Sequence, residues 1–174
     1  LFCRKTEESK LTPKEELGRK LFFDISLSDP VGQACATCHG PGAGFTGPDS
    51  NINKETAVYP GALPERFGNR KPPSAAYAGD SPKFHLDDEG NFVGGMFWDG
   101  RATGHELDDP LAEQAMGPFL NPLEQNMPDK ESIIKKVKDS DYAELFQQAW
   151  GSGSLDWEKN PDGTYERIAR SIAA

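Results

Sequence analysis

The pentapeptide Cys35-Ala36-Thr37-Cys38-His39 joins two thiols, separated by two residues, to a histidine that follows at once. On one turn of helix the thiols of Cys35 and Cys38 point to the same side. This CxxCH pattern is the attachment signature of c-type haem, which binds both sulfurs as thioethers. The histidine then supplies the proximal nitrogen to the iron. The sequence predicts one covalently bound haem c, with His39 as the metal ligand.

Two other kinds of site also use a CxxC pair. A redox-active pair normally follows a strand of a βαβ unit, and no such pattern precedes Cys35. A structural zinc site needs four ligands, whereas Cys3, His85 and His105 lie far away in the sequence. Haem attachment is therefore our interpretation, and Cys3 is interpreted as a plain free or terminal cysteine.

Length and charge restrict the remaining possibilities. The 174 residues suffice for one domain, or for one domain with an extended arm at residues 1–11. Hydrophobic residues make up 36%, so a buried haem would add apolar volume to a modest core. A formal net charge of −9 argues against nucleic acid and anionic membranes, and it favours a small basic electron-donor protein as partner.

The composition also indicates the compartment. No apolar run approaches the roughly 20 residues that cross a bilayer, and the chain becomes charged directly after Leu1-Phe2-Cys3. Haem c is attached outside the cytoplasm. We therefore expect a leader removed before residue 1 and a periplasmic or otherwise exported protein.

Helix signals bracket a long irregular region. Thr12-Pro13-Lys14-Glu15 predicts a helix start with a capping box, and Asp24 ends that helix. Residues 40–80 are rich in Gly, Pro, Asn and Ser and predict a loop, which continues irregularly over 81–109. Four further helices are predicted, beginning at Asp109-Pro110 (ended by Gly117-Pro118), Asp129, Ser140 and Thr164.

No strand pattern competes, so the predicted fold is all-α, a cytochrome c-like helical domain whose long loops wrap the haem. Tyr165, Ile168 and Ile172 form an apolar stripe on the last helix, which reaches Ala174 without a stop signal. We expect this stripe to need a partner surface, as in a chain cut inside a helix.

The second axial position of the iron decides between two functions. A strong ligand there, drawn from Met96, Met116, Met127 or His85, would make the domain an electron carrier. An open position would let the iron bind peroxide or oxygen. His105 lies among acidic residues and is interpreted as solvated.

Several motifs resemble one family, in the same order along the chain. They are LGRKLFFD (17–24), SLS (26–28), CATCH (35–39), FWDGRA (97–102), EQA (113–115), GP (117–118) and NPLE (121–124). From about residue 12 onward the chain resembles the N-terminal domain of bacterial dihaem cytochrome c peroxidases and their MauG-like relatives. That family has two haem domains, whereas no second CxxCH occurs here. The resemblance therefore implies a haem domain over 12–174, truncated before a second haem domain.

The resemblance also implies roles for individual residues. His39 matches the proximal ligand of the peroxide-reacting haem, Glu124 the distal carboxylate and Gln114 a glutamine on the same side. Pro118 matches a proline at the distal pocket, and Trp98 the tryptophan between the two haems. Without the resemblance, Glu124 would be interpreted as a solvated loop residue and Trp98 as ordinary core.

The chain departs from the family in three respects. The loop over 51–68 lacks the histidine that blocks the resting haem in many members. Lys71 stands where the family has a calcium-ligating asparagine, and an ammonium group cannot bind calcium, so calcium is doubtful. Residues 80–95 and 105–109 are extra.

The leading hypothesis is an oxidoreductase, a haem c peroxidase domain that reduces hydrogen peroxide with electrons from a second haem-bearing domain or chain. One alternative is a monohaem electron-transfer subunit without peroxide chemistry. Another is a MauG-like oxidase that acts on a protein partner. Dimer formation is left open.

Overall fold

The computed structural model describes residues 11–174, so the predictions for Cys3 and most of the N-terminal arm fall outside the described part. That part contains these α-helices: α1 Pro13–Phe23, α2 Cys35–Cys38, α3 Ser50–Glu55, α4 Pro110–Ala115, α5 Gly117–Leu120, α6 Lys130–Lys138, α7 Ala143–Trp150 and α8 Pro161–Ile172. Two short strands, β1 His85–Leu86 and β2 Phe92–Val93, pair antiparallel. The predicted all-α class is confirmed.

The core lies where α1 meets the last three helices. α1 packs against α7 and α8, and α8 packs in turn against α4 and α6. Gly18 allows α1 to lie directly against α8, because a Cβ there would lie 1.8 Å from the carbonyl oxygen of Ser171 in α8. Leu17 and Leu21, on the same face of α1, are fully buried. This packing holds the first and last described helices together.

Local capping explains why α1 and α6 form where they were predicted. The Thr12 hydroxyl accepts from the backbone N–H of Glu15, the Glu15 carboxylate accepts from the N–H of Thr12, and Asp24 is the C-cap. The Asp129 carboxylate likewise accepts from the N–H of Ser132 at the start of α6. Both predictions are confirmed.

Two predicted helix boundaries are wrong. Ser140 does not cap α7, because its hydroxyl donates to the Val137 carbonyl and accepts from the N–H of Tyr142, which makes a turn. α8 begins before Thr164, since the Asn160 side chain caps it and proline is tolerated in a first turn. The helix predicted from Asp109-Pro110, by contrast, ends as expected, because α4 stops at Ala115 with Met116 as its C-cap, and a separate short helix, α5, starts at Gly117.

The expectation of an uncovered stripe on the last helix is also wrong. Tyr165 and Ile168 are 1% and 0% exposed, and Ile172 is half-buried. Packing of α8 against α1, α4 and α6 covers the stripe within this chain. The stripe therefore gives no support for a missing partner surface.

The irregular region has more local order than the sequence indicated. α3 lies inside the predicted loop over 40–80, where Asp49 caps it by accepting from two backbone N–H groups. The β1–β2 hairpin lies inside the extra segment over 80–95, and the expectation of no strand fails there. The turn forms because the Asp87 carboxylate accepts from the N–H groups of Glu89 and Asn91. None of the helices within 11–174 has the length and apolar character that crossing a membrane requires.

Candidate haem site

The two cysteines lie on one short turn of helix. The Ala34 N–H donates to the Thr37 hydroxyl, and the His39 N–H donates to the Cys35 carbonyl at 2.9 Å. No disulfide joins Cys35 and Cys38. Burial raises the pKa of Cys35 to about 12 and that of Cys38 to about 11, so both sulfurs are protonated at neutral pH.

The imidazole of His39 is oriented by backbone carbonyl groups. Its Nδ1 lies 3.2 Å from the Phe45 oxygen and 3.0 Å from the Pro73 oxygen. Since both are acceptors, Nδ1 carries the proton and Nε2 keeps its lone pair. Burial lowers the pKa of His39, against the opposing effect of the two carbonyls. Metal-ligating histidines are typically neutral and held in this way through their second nitrogen, so these residues fit a covalently attached haem.

Gln33 is a site residue that the sequence analysis missed. It is 5% exposed, and its amide nitrogen lies 3.6 Å from the Cys38 sulfur and 3.4 Å from the Pro60 oxygen. Its amide oxygen has no hydrogen-bond partner within residues 11–174. A glutamine two positions before the first cysteine, in an otherwise small-residue stretch, was the available signal.

Tyr165 is a second residue whose place in the site was not predicted. Its hydroxyl donates to the Met116 carbonyl at 2.5 Å. Burial raises the pKa of Tyr165, and the nearby Cys35 thiol adds to that rise. Tyr165 is thus both a core residue of α8 and a neighbour of the attachment helix.

Glu124 faces the same place as the cysteines. It lies in the turn after α5 and is half-buried. Burial raises the pKa of its carboxyl group, while the Asn121 side chain and the Arg101 charge oppose that rise. Its negative charge in turn helps to raise the pKa of both thiols.

Pro118 lies in the segment that carries Glu124, whereas Gln114 lies on the preceding helix, α4. The Pro118 carbonyl accepts from the N–H groups of Asn121 and Gln125 at 3.3 and 3.2 Å. Gln114 is half-buried on α4. Within the described residues, no hydrogen bond joins it to Glu124.

Glu113, next to Gln114, anchors a loop. Its carboxylate accepts from the N–H groups of Gly104, Glu106 and Leu107 at 2.7, 2.8 and 3.0 Å. Burial acts to raise the pKa of Glu113, but these three donors outweigh it and the pKa is lowered. From the sequence, Glu113 was recognised only as part of the EQA motif (113–115), with no role of its own.

Trp98 is on the surface, with 66% of its area exposed. Its indole N–H donates to the Lys71 carbonyl at 3.1 Å. Two residues further along, the Pro73 carbonyl accepts from His39. The segment over 71–73 therefore connects the indole to the proximal histidine.

Other candidate iron ligands have different surroundings. The exposed His85 has its Nδ1 2.8 Å from the Lys83 oxygen, and His105 has its Nε2 3.0 Å from the Phe84 oxygen. Met127 is buried in the core. Met116 lines a cavity of about 350 Å³. Among residues 11–174, no three His, Cys, Asp or Glu side chains lie close enough to hold a metal ion by themselves.

Comparison with known proteins identifies the family. The family model described as di-haem cytochrome c peroxidase matches residues 12–174. The methylamine utilization protein MauG of Paracoccus denitrificans is 38% identical over 159 residues, which cover 91% of this chain and 38% of that protein. The cytochrome c551 peroxidase of Pseudomonas aeruginosa is 33% identical over 139 residues, covering 79% of this chain and 32% of that protein.

A solved structure agrees with this assignment. The diheme peroxidase BthA of Burkholderia thailandensis superposes with a TM-score of 0.75 at 28% identity, covering 95% of this chain and 42% of that one. The chain thus spans about two fifths of the length of these relatives. With its helical fold, its CxxCH turn and this match over 12–174, the chain belongs to the di-haem cytochrome c peroxidase family.

Proposed function

We propose that this domain carries one haem c and reduces hydrogen peroxide in an exported compartment, with electrons from a second haem-bearing domain or chain. The observation that carries the proposal is the position of Glu124, a half-buried residue whose turn is joined by hydrogen bonds, through the loop over 60–62 and Gln33, to Cys38. The net reaction takes hydrogen peroxide, two electrons and two protons to two molecules of water. The haem would supply the iron that binds peroxide and passes the electrons on.

Each residue of the site then has a distinct task. Cys35 and Cys38 would hold the porphyrin by thioether bonds, and the Nε2 atom of His39 would bind the iron. The Glu124 carboxylate would take the proton from the peroxide oxygen nearer to the iron and deliver it to the outer oxygen, which leaves as water. Burial raises the pKa of Glu124 above its ordinary value, which makes its carboxylate a stronger base for accepting that proton.

Trp98 is the proposed point of entry for electrons. The exposed indole of Trp98 is bonded to the segment over 71–73, which in turn holds His39. An electron could enter at the indole from a second haem without passing through solvent. A small basic protein is the expected donor to the assembly, because the net charge of this chain is −9.

A second candidate function is oxidation of a protein partner. Its support is the similarity to proteins named MauG, one of them at 38% identity, together with the exposed Trp98. The same haem and the same Glu124 would serve both reactions. They differ in whether the electrons come from a donor protein or from the side chains of a substrate protein.

The deciding experiment uses the protein made in a host that attaches haem c. Intact mass and the pyridine haemochrome spectrum would count the covalent haems, with C35S/C38S as the matched control that should carry none. We expect a high-spin ferric spectrum and peroxide consumption when a reduced haem partner or ferrocytochrome is supplied. A low-spin spectrum with no peroxide reaction would support the electron carrier instead, and its conversion to high spin in H85A would name the ligand.

A further inference from the structure

The turn that carries Glu124 is held from outside by a neighbouring loop. The Ala62 N–H donates to the Glu124 carbonyl at 2.7 Å. The Arg66 guanidinium donates to the Pro122 carbonyl at 3.4 Å and to the Asn126 side chain at 3.2 Å. These bonds fix the backbone on both sides of the glutamate.

Gly61 is where this loop touches the turn most closely. A Cβ at that position would lie 2.5 Å from the oxygen and 2.8 Å from the carbon of the Leu123 carbonyl, and 3.0 Å from the Glu124 oxygen. All three are backbone atoms, so no flexible side chain could move aside. The φ angle of Gly61 lies outside the left-handed region, so alanine is excluded by contact and not by backbone strain.

The same loop is tied to the cysteines on its other side. The Pro60 carbonyl accepts from the Gln33 amide, which also contacts the Cys38 sulfur. Tyr59 is buried, and its hydroxyl accepts from the Asp49 N–H at 2.7 Å. The loop over 59–62 therefore spans the interval between the haem-attachment turn and the glutamate turn.

We propose that Gly61 is a positioning residue for Glu124, which sets the distance between its carboxylate and the haem face by letting the loop lie directly against the Leu123–Glu124 backbone. This inference rests on the proposed role of Glu124. A side chain at position 61 would push the turn away while leaving both thiols and His39 in place. Displacing a reacting group by about 1 Å can cost on the order of a hundredfold in rate.

The test compares G61A with G42A in the haem-loaded protein. Gly42 is the matched control, because it is exposed and a Cβ there would meet nothing within 4 Å. We expect G61A to lower the rate constant for the ferric protein with peroxide by roughly 10- to 100-fold. G42A should leave that rate constant unchanged, and both variants should keep one covalent haem by intact mass.

Fluoride binding gives a readout that does not depend on turnover. A fluoride ion on ferric haem accepts a hydrogen bond from a protonated carboxyl group above it. We expect G61A and E124L, in which leucine cannot donate a hydrogen bond, to weaken fluoride binding at acidic pH by about tenfold, which corresponds to one hydrogen bond. Equal fluoride affinities and peroxide rates in G61A and G42A would overturn the inference.

The remaining outcomes are also decisive. If the unmodified protein does not reduce peroxide, the proposed function fails, but weaker fluoride binding in both G61A and E124L still supports positioning. If E124L binds fluoride as the unmodified protein does, Glu124 does not reach the haem face and the inference fails. If G61A does not fold, the same two measurements are made on R66Q, with the exposed R70Q as control. Of these two arginines, only Arg66 donates to the turn that carries Glu124.

Discussion

The loop held by Glu113 and the turn that carries Glu124 give the same functional group opposite surroundings. Glu113 accepts three backbone N–H bonds, and these lower the pKa of its carboxyl group. Glu124 is half-buried, and burial raises the pKa of its carboxyl group. A carboxylate satisfied by three donors is committed to structure, whereas one left short of donors can exchange a proton. The comparison therefore separates a structural anchor, Glu113, from the proposed proton carrier, Glu124.

The largest expected effect would come from removing the proton carrier. E124Q should lower peroxide turnover by about 10²–10⁴-fold, the range typical of losing a general acid–base group. The covalent haem and the melting temperature should change little. Steady-state peroxide kinetics with circular dichroism would measure both. If E113Q, assayed where it is folded, lost as much peroxide turnover as E124Q, the distinction between the two carboxylates would be wrong.

The pH dependence of the peroxide rate should also reveal the role of Glu124. Because Glu124 must be deprotonated to accept the first proton, the rate should fall about tenfold per pH unit below its pKa. Burial raises that pKa, so the fall should begin above pH 4.5, the ordinary value for glutamic acid. Stopped-flow rates across pH would show this limb. Its persistence in E124Q would assign it to another group.

A smaller effect is expected from removing the anchor. E113Q should destabilise the fold by about 1 kcal/mol at neutral pH, since one neutral oxygen replaces a partly solvated carboxylate that accepts three bonds. Because folding lowers the pKa of Glu113, this stabilisation is present above its unfolded value of 4.5 and is lost as pH falls through the folded pKa. Urea titrations at several pH values would measure it. A difference that stayed constant into acid would contradict the anchor.

The smallest effect concerns Arg101, whose charge opposes the rise in the pKa of Glu124. R101Q should move the acid limb of the peroxide rate upward by only a few tenths of a pH unit, because an exposed guanidinium is well screened. High salt should remove the difference between R101Q and the unmodified protein. The distant and exposed Arg19 gives the control variant R19Q, which should leave the limb in place. A shift in R19Q as large as in R101Q would show that the effect is not local.

The sequence predicted those parts of the fold that depend on local signals. The capping box at Thr12 and the buried face of α6 needed only neighbouring residues, so both could be read directly. The hairpin over 85–93 could not, because its strands are two residues each and an Asp87 turn holds them. Coverage of the Tyr165 stripe depends on α1 and α4, which are remote in sequence. The residue pattern within one segment does not predict which other segments pack against it.

The residues of the haem site also fall into those that local sequence predicts and those that depend on remote contacts. The CxxCH turn was predictable because covalent haem attachment requires that spacing. Gln33 and the anchoring role of Glu113 were missed, since each acts through backbone groups of a different loop. Trp98 was interpreted as core when no resemblance was used, and the structure places it on the surface. Roles that follow from long-range hydrogen bonds leave little trace in residue type.

The tight crossing of α1 and α8 at Gly18 affects the order of assembly. These helices join the two ends of the described chain, so the core closes only after nearly all intervening residues have been synthesised and brought back. Contacts of such large sequence separation form late, because a long loop must close before they stabilise the fold. In a chain exported as proposed above, residues 35–39 would emerge well before that closure. Haem attachment at Cys35 and Cys38 would then precede the closing of the contact between α1 and α8.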